Sequence, residues 1–477
     1  MPERAAWLPQ AALVVGAVTV LRIVALGFDR TDLFVDESQY WLWGQRLDFG
    51  YYSKPPLIAW VIRAVTELAG SDAPFWVRLP GSLFHGATAL ILAALAARLF
   101  SARAAVFVAL AYATLPMTTL GSILISTDTI MAPFFAGALY FFFRAAGEAQ
   151  FRNAALAGLC LGLAFLAKYA AAYFLIGGAL AHLLAPSARL TLRNWIAMLA
   201  VFALVILPNV AWNIANDLTT VEHTMDNVGW VRGAAWMSGL NPAGLAEFFF
   251  SQFAVFGPVM FAALLWFWVR PGRAKPLVWF SVPPLAIVCV QALMSKAYAN
   301  WAVAAYFAGT LIVVPLLLQR APRLLALSLV INGTIAALLP VLTVTAPAPE
   351  VNGRPLLARY LGRADLSRQI LAEAEATGAT AIVAEGRDLL ADLFHTGRGA
   401  PVAFYALPPK GRPRSYYEQN FPLPEAAGGV LYVAARAPVC NGQEVAPSRL
   451  LDTGGGAYDG RHIAIYPVPG NCILDAD

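Results

Sequence analysis

The run 11-AALVVGAVTVLRIVALGF-28 decides how the chain is read, because 36-DESQYWLWGQRLDFGYYSKPP-56 soon after it gathers acids, a lysine and aromatics. An apolar stretch of that length, broken only by Arg22, is long enough to cross a bilayer. A cleavable export signal has a short apolar core and a small-residue cleavage site, whereas this run opens a series of equally apolar runs. It reads as a retained transmembrane helix. Of 477 residues, 59% are hydrophobic and 13% charged, and the mean hydropathy is +0.63. Those values lie outside the range of soluble globular proteins and inside that of polytopic membrane proteins.

Working outward, sufficiently apolar spans run roughly 7–27, 79–99, 104–122, 127–143, 154–167, 170–185, 195–212, 246–269, 277–294, 301–319 and 324–346. The pattern predicts about eleven transmembrane helices, the fifth and sixth short. Basic residues in short loops set the orientation. With the N-terminus cytoplasmic, one side receives Arg4, Arg98, Arg103, Arg144, Arg152, Arg189, Arg193, Arg270, Arg273, Lys275, Arg320 and Arg323. The short loops of the other side hold little beyond Lys168, Arg232 and Lys296, and the basic residues of the long first loop, such as Arg30 and Arg46, are accompanied by acids and count less. An odd number of spans then leaves the C-terminal region outside.

From Pro347 the composition turns polar. The stretch ATAIVAEGRDLLADLFHTGRGAPVAFYAL reads as strand, helix, strand, and GGVLYVAAR and HIAIYPV as further strands. The expected organisation is a membrane domain over 1–346, with a first outer loop over 28–78, and a small extracytoplasmic α/β domain over 347–477. Cys160 and Cys289 fall in apolar runs as packing residues. Cys440 and Cys472 are candidates for a disulfide, at a separation that sequence does not set. The net charge of +5 is scattered over short loops, not gathered in a stripe, so the bilayer and not nucleic acid is the expected partner. There is no internal repeat, P-loop or dinucleotide fingerprint.

The unusual polar residues all fall on the outer face. Asp36 and Glu37 lie in its first loop, Asp128 in the second, Lys168 near the third, His223 in the fourth and Lys296 in the fifth. Polar groups at membrane depth are costly unless paired or functional, and five loops on one face can build one site. Asp36-Glu37-Ser38-Gln39 fits a capping box, and equally a general base at a helix start. Tyr52 and Lys54-Pro55-Pro56 lead into PLIAWVIRAVTELAG, which places Leu57, Trp60 or Val61, Ala64 and Leu68 on one face, as in an interfacial helix. Lys54 either meets an anion at that helix start or snorkels to headgroups.

Asp128 caps a helix or serves as a second site carboxylate. Lys168-Tyr169 interrupts an apolar stretch, where a lysine needs an anionic partner or a water-filled cavity. His223 binds a metal or sits in a solvated loop. Lys296, Tyr298, Asn300 and Trp301 form a sugar-contacting cluster or an aromatic belt. Asp36, Asp128 and His223 are candidate ligands for a divalent metal, but their spacing does not place them together.

Taken in order, DRTDLFVDESQYWLW, GYYSKPPLIAW, STD, LAKYAA, PNVAWNIAND with its following His, the Gly-Pro of SQFAVFGPVMF, and KAYANWAVAAY resemble the GT-C integral-membrane glycosyltransferases. Within these the chain looks most similar to the superfamily of protein O-mannosyltransferases and the lipid A aminoarabinose transferase. The resemblance covers about residues 20–310, and the tail resembles the outer domain of the lipid A-modifying branch. It implies a bacterial inner-membrane enzyme with a sugar donor on a polyprenyl phosphate. Transfer is then to lipid A, another envelope glycan or a protein at the outer face, with inversion at the anomeric carbon.

By the same resemblance Asp36 is the first-loop acid serving as base or acceptor-positioning group, Glu37 its neighbour, and Asp128 the second-loop acid. Lys54 is the lysine that meets the lipid phosphate, and Lys168 with Tyr169 a cavity-lining pair. Lysines preplaced on a leaving phosphate lower the barrier. One departure stands out: the residue before Lys-Pro-Pro is commonly an acid in the lipid A transferase, and here it is Ser53. That weakens an aminoarabinose assignment, since an acid pairs with an amino sugar's charge.

Two other classes compete. A transporter or flippase of lipid-linked sugars needs mid-membrane charges and a pseudo-repeat of broken helices, whereas the charges here lie at outer ends. A scaffold with a ligand-binding outer domain leaves the first-loop acids and Lys-Pro-Pro unexplained. The sugar itself is not legible, although a uronic acid would gain from a cation such as Lys296.

Overall fold

The computed structural model describes residues 7–148, 150–227 and 239–474. Arg4 and Arg232, used above for orientation, lie outside them. The chain divides into two compact units. One comprises Met1–Gly27, Asp48–Ser71 and Phe75–Pro340, the other Phe28–Leu47, Asp72–Pro74 and Val341–Asp477.

The first unit is helical. Among the described residues six helices are long and apolar enough to cross a membrane: Trp7–Gly27, Pro74–Leu99, Thr127–Glu148, Leu192–Ala215, Gly272–Met294 and Pro322–Thr345. Two further apolar stretches are bent pairs, Ala102–Thr114 with Pro116–Ile123 at 55° and Pro242–Val255 with Pro258–Val269 at 112°. Phe151–Ala167, Tyr169–Leu184 and Ala304–Arg320 are shorter. Proline opens the second helix at both bends, where its fixed φ and missing N–H fit a helix start but not its interior. At the sharper bend Gly257 adopts φ +92°, and a Cβ there would lie 2.3 Å from the Asn332 side chain. Only glycine fits that corner.

The helix after Lys-Pro-Pro spans Leu57–Ala69 and buries Leu57, Ile58, Ala59, Ile62 and Thr66. Of the stripe expected for an interfacial helix, Leu57 is buried while Ala64 and Leu68 are exposed, Leu68 by 91%. The helix therefore has two apolar sides, one packed on protein and one left outward.

The second unit is built on a five-stranded sheet in the order Ala403–Tyr405, Ala381–Ala384, Gly429–Ala434, Ala464–Pro469, Arg449–Leu450. The first three are parallel to one another and the last two pair antiparallel. Parallel neighbours need a crossover, and the helix Arg387–Thr396 supplies it between Ala381–Ala384 and Ala403–Tyr405. Val383, Val430, Tyr432, Ala464, Tyr466 and Val468 share one core. These strands fall where the sequence places them, and Cys440 and Cys472 are joined across a Cα separation of 5.3 Å.

The boundary differs from the one expected at 346/347, because residues 28–47 pack with the second unit. They form the helix Val35–Gln45, which buries every residue except Asp36 and Gln45. A helix buried on nearly all sides needs a protein surface around it, whereas an interfacial helix keeps one polar face. Trp41 meets His395 edge-on at 4.8 Å and Trp43 meets Tyr416 at 5.8 Å.

Candidate functional site

The helical unit contains a cavity of about 300 Å³ lined by Ser53, Lys54, Pro55, Lys168, Tyr169, Ala170, Tyr173, Thr224 and Trp301. Its first wall is the loop before Leu57–Ala69. Asn209 Nδ2 donates to the Phe49 carbonyl at 2.6 Å, Thr220 Oγ1 to that of Tyr51 at 2.7 Å, and Trp60 Nε1 to that of Asp48 at 2.9 Å. Between them Gly50 lies under the Trp212 indole, where a Cβ would come within 2.3 Å of the ring. The loop is thus held through its backbone carbonyls, which leaves Ser53 and Lys54 to face the cavity.

The opposite wall comes from a helix break. Phe151–Ala167 ends at Lys168, whose φ of −157° and ψ of 129° are extended. Lys168 Nζ donates to both oxygens of Asp128 at 2.7 Å, and Asn300 Nδ2 donates to Asp128 Oδ2 at 2.8 Å. The anionic partner that Lys168 required is therefore Asp128. With side-chain exposures of 15% and 12%, the pair is largely shielded and is worth more than a surface bridge. Tyr169 Oη donates to Asn209 Oδ1 at 3.1 Å and accepts from Asn213 Nδ2 at 3.2 Å. The same Asn209 therefore fixes both the loop and the tyrosine.

The remaining residues divide. Tyr52 packs on His223 with ring centroids 4.9 Å apart. Trp301 lines the cavity and Asn300 reaches Asp128, so two members of the SKAYANWA cluster belong here. The Lys296 ammonium stands 6.0 Å from the Tyr298 ring centroid, Tyr298 is 52% exposed, and neither lines the cavity. Lys296 therefore has no support from the lining as a cation for a uronate.

The acid pair belongs to the second unit. Asp36 is ion-paired to Arg387 Nη2, and Arg387 Nε donates to Gln39 Oε1 at 2.7 Å. Asp36 and Gln39 are three residues apart on one helix face, so one guanidinium fork spans both. Burial by itself would lower the Arg387 pKa, but the charge and hydrogen bond of Asp36, with Tyr417 and Tyr40 nearby, make the net shift upward. Glu37, 1% exposed, accepts the Phe34 N–H at 2.9 Å. The capping contact therefore runs from Glu37 back to Phe34, two residues before the box expected from Asp36 to Gln39, because Val35 and Asp36 are already helical.

Among the described residues no group of three or more His, Cys, Asp or Glu side chains is placed to hold a metal ion. The suggestion that Asp36, Asp128 and His223 share one therefore finds no geometry. Sequence reasoning assigns Arg387 no role and Gln39 only a place in the capping box, because the two meet across 348 positions and no local pattern records that. Within PNVAWNIAND, Asn209 and Trp212 hold the loop through contacts with Phe49 and Gly50 that lie too far along the chain for a local pattern.

A family model described as dolichyl-phosphate-mannose-protein mannosyltransferase matches residues 53–212. The lipid A galacturonosyltransferase RgtD of Rhizobium johnstonii is 45% identical over 472 residues, covering 97% of this chain and 98% of the relative. Crystal structures of ArnT from Cupriavidus metallidurans are similar in fold. The apo form has a TM-score of 0.63 at 15% identity, covering 98% of each chain. The form bound to undecaprenyl phosphate has 0.63 at 16% identity, covering 95% of this chain and 97% of that one.

Proposed function

The chain belongs to the GT-C membrane glycosyltransferases, and from that premise we propose that it transfers a galacturonate-type sugar from a polyprenyl phosphate to lipid A. The observation that carries this reading is the cavity where Lys54 and the Lys168–Asp128 pair face one another beside Tyr169 and Trp301. The activity of the galacturonosyltransferase relative suggests the sugar and the acceptor, and the chain's apolar helices suit a donor with a lipid tail. The transporter reading has no comparable support.

In the proposed reaction an acceptor hydroxyl attacks the anomeric carbon from the face opposite the phosphate. The new C–O bond forms as the bond to the phosphate oxygen breaks, which inverts the centre. Asp36 takes the hydroxyl proton. Lys54 meets the charge that grows on the leaving polyprenyl phosphate. Asp128 holds Lys168 in place, and Trp301 offers a flat face to the sugar. Ser53, where the aminoarabinose transferase pattern has an acid, fits an anionic sugar, since a carboxylate there would repel a uronate.

The accompanying topology is eleven spans in the bacterial inner membrane, with the N-terminus cytoplasmic and the residues after about 346 periplasmic. The Cys440–Cys472 disulfide supports an oxidising compartment for that region.

The test is mass spectrometry of lipid A from cells with and without this chain, with an Asp36→Asn control. One added hexuronate that is absent from the control is the expected result. A neutral or amino sugar would overturn the donor assignment, and unchanged lipid A with donor present would overturn the acceptor. In purified protein, Ser53→Glu is expected to lower kcat/KM for the uronate donor by about tenfold through like-charge repulsion.

A further inference from the structure

A second cavity, of about 390 Å³, lies wholly within the second unit. Its charged lining is four arginines, Arg354, Arg359, Arg363 and Arg461, against two acids, Asp388 and Asp459. Both acids are already engaged: Arg461 Nη1 meets Asp388 Oδ2 at 2.7 Å, and Arg354 Nε meets Asp459 Oδ2 at 2.9 Å. Among the described residues Arg359 and Arg363 have no carboxylate within ion-pair distance.

Those two guanidiniums nevertheless share a single aromatic ring. The Phe34 centroid lies 4.7 Å from the Arg359 guanidinium carbon and 5.4 Å from that of Arg363. Arg363 also lies 5.5 Å from the Tyr458 ring centroid, and Arg461 lies 5.4 Å from the same ring. Arg363 is 6% exposed. Its Nη atoms make only long contacts, 3.3 Å to Tyr458 Oη and 3.3 Å to the Arg359 carbonyl, and its Nε has no partner. The Arg363 backbone N–H donates to Asp32 Oδ2 at 2.8 Å, and Asp392 lies near enough to interact electrostatically with this arginine. The cavity lining still carries four cations against two anions, with Arg359 exposed beside the buried Arg363, and an oxyanion would offset that excess. Aromatic faces hold the guanidiniums in place, and planar forks suit phosphate and carboxylate oxygens.

We propose that this cavity binds an oxyanion, phosphate or carboxylate, on the sugar headgroup of the acceptor glycolipid, an assignment that rests on the lipid A reading above. Two cation clusters then serve two anions. The lysine cavity of the helical unit takes the donor phosphate, and the arginine cavity of the sheet unit takes the acceptor. Arg363 is the buried floor of the subsite, and Arg359, on the exposed side, is its adjustable arm.

The test uses the full chain in neutral detergent, with lipid A in mixed micelles, phosphatidylcholine micelles and inorganic phosphate as separate probes. Arg359→Gln is the primary variant because Arg359 is exposed, Arg359→Lys the conservative control, and Arg354→Gln/Arg359→Gln the second variant. Loss of one charge-assisted contact is expected to weaken lipid A binding about tenfold. The acceptor KM should rise by the same factor with kcat unchanged, and the Lys variant should recover part of the loss. Phosphatidylcholine should not bind in an Arg359-dependent way.

Unchanged lipid A affinity and KM in the folded double variant would overturn the subsite while leaving the transferase reading intact. Arg359-dependent binding of inorganic phosphate without binding of lipid A would overturn the glycolipid assignment. Arg359-dependent binding of lipid A without transfer to it would uphold the subsite and instead defeat the proposed reaction.

Discussion

The two halves of the stretch 28–71 are continuous in sequence and unlike in structure. Residues 28–47 fold with the sheet unit and residues 48–71 with the helices. In the first half, side chains make the attachment: Asp36 and Gln39 to Arg387, and Trp41 to His395. In the second, backbone carbonyls make it, with Asn209 and Thr220 on Phe49 and Tyr51. The setting of the acid is therefore governed by residues of the sheet unit, and that of Lys54 by residues far along the helical unit. A contact made through side chains is tuned by substitution at either end, whereas one made through carbonyls depends on the loop's path.

The sharpest way to break this division is to remove the charge at each end of it. Asp36→Asn is expected to lower kcat by about 10²- to 10⁴-fold, the usual worth of a general base. Lys54→Ala is expected to cost about 10²- to 10³-fold. Both are read in a transfer assay with the melting transition retained, and near-normal rates in both would remove the catalytic reading of this loop. A smaller effect tests the sheet unit's hold on the acid. Arg387→Gln should reduce kcat about tenfold with the donor KM unchanged, and Arg387→Lys should recover part of it. A change in stability with no change in kcat would reduce Arg387 to a packing residue.

For the helical half, Gly50→Ala drives a methyl into the Trp212 ring and is expected to cost about 1–3 kcal/mol. Denaturation of the single variant and of Gly50→Ala/Trp212→Leu measures this, since the smaller side chain should restore most of the loss. The smallest effect lies in the sheet unit. Burial raises the Asp392 carboxyl above its ordinary range, although Ser367 and Thr396 hydroxyls donate to it. The folded form then holds that proton more tightly than the unfolded chain. The resulting stabilisation is full below the unfolded carboxylate pKa and is lost as pH rises through the raised folded value. Asp392→Asn should flatten the dependence of the melting temperature on pH in the range just above the ordinary carboxylate pKa, and an unchanged slope would assign it to other groups.

Much of the architecture was legible because apolar length and strand alternation are local properties. The apolar runs from 7–27 to 324–346 fall on helices apart from breaks and end residues, and AIVA, GVLYVA and AIYPVP are strands. The bends at Leu115 and Gly257 were less so, since a Pro within a long apolar run looks like part of one span. The candidate site was legible as residue types, in Lys54, Lys168, Asp128 and Trp301, but its pairings were not. Asp128 meets Lys168 across 40 positions and Asn300 across 172, and no local pattern records such distances.

The sequence by itself determined that this chain fills a membrane with helices, carries a separate sheet-forming tail and sets a few acids and lysines, among them Asp36, Lys54, Asp128 and Lys168, in the segments between apolar runs. Hydropathy and periodicity act over a few turns, so they survive in a one-dimensional reading. Only the tertiary structure decided that the helix bearing Asp36 joins the sheet unit, that Arg387 grips it, and that Arg359 and Arg363 share the Phe34 ring. Those outcomes depend on which distant surfaces bury a helix and which charges must then find partners, and that is settled only when the chain packs.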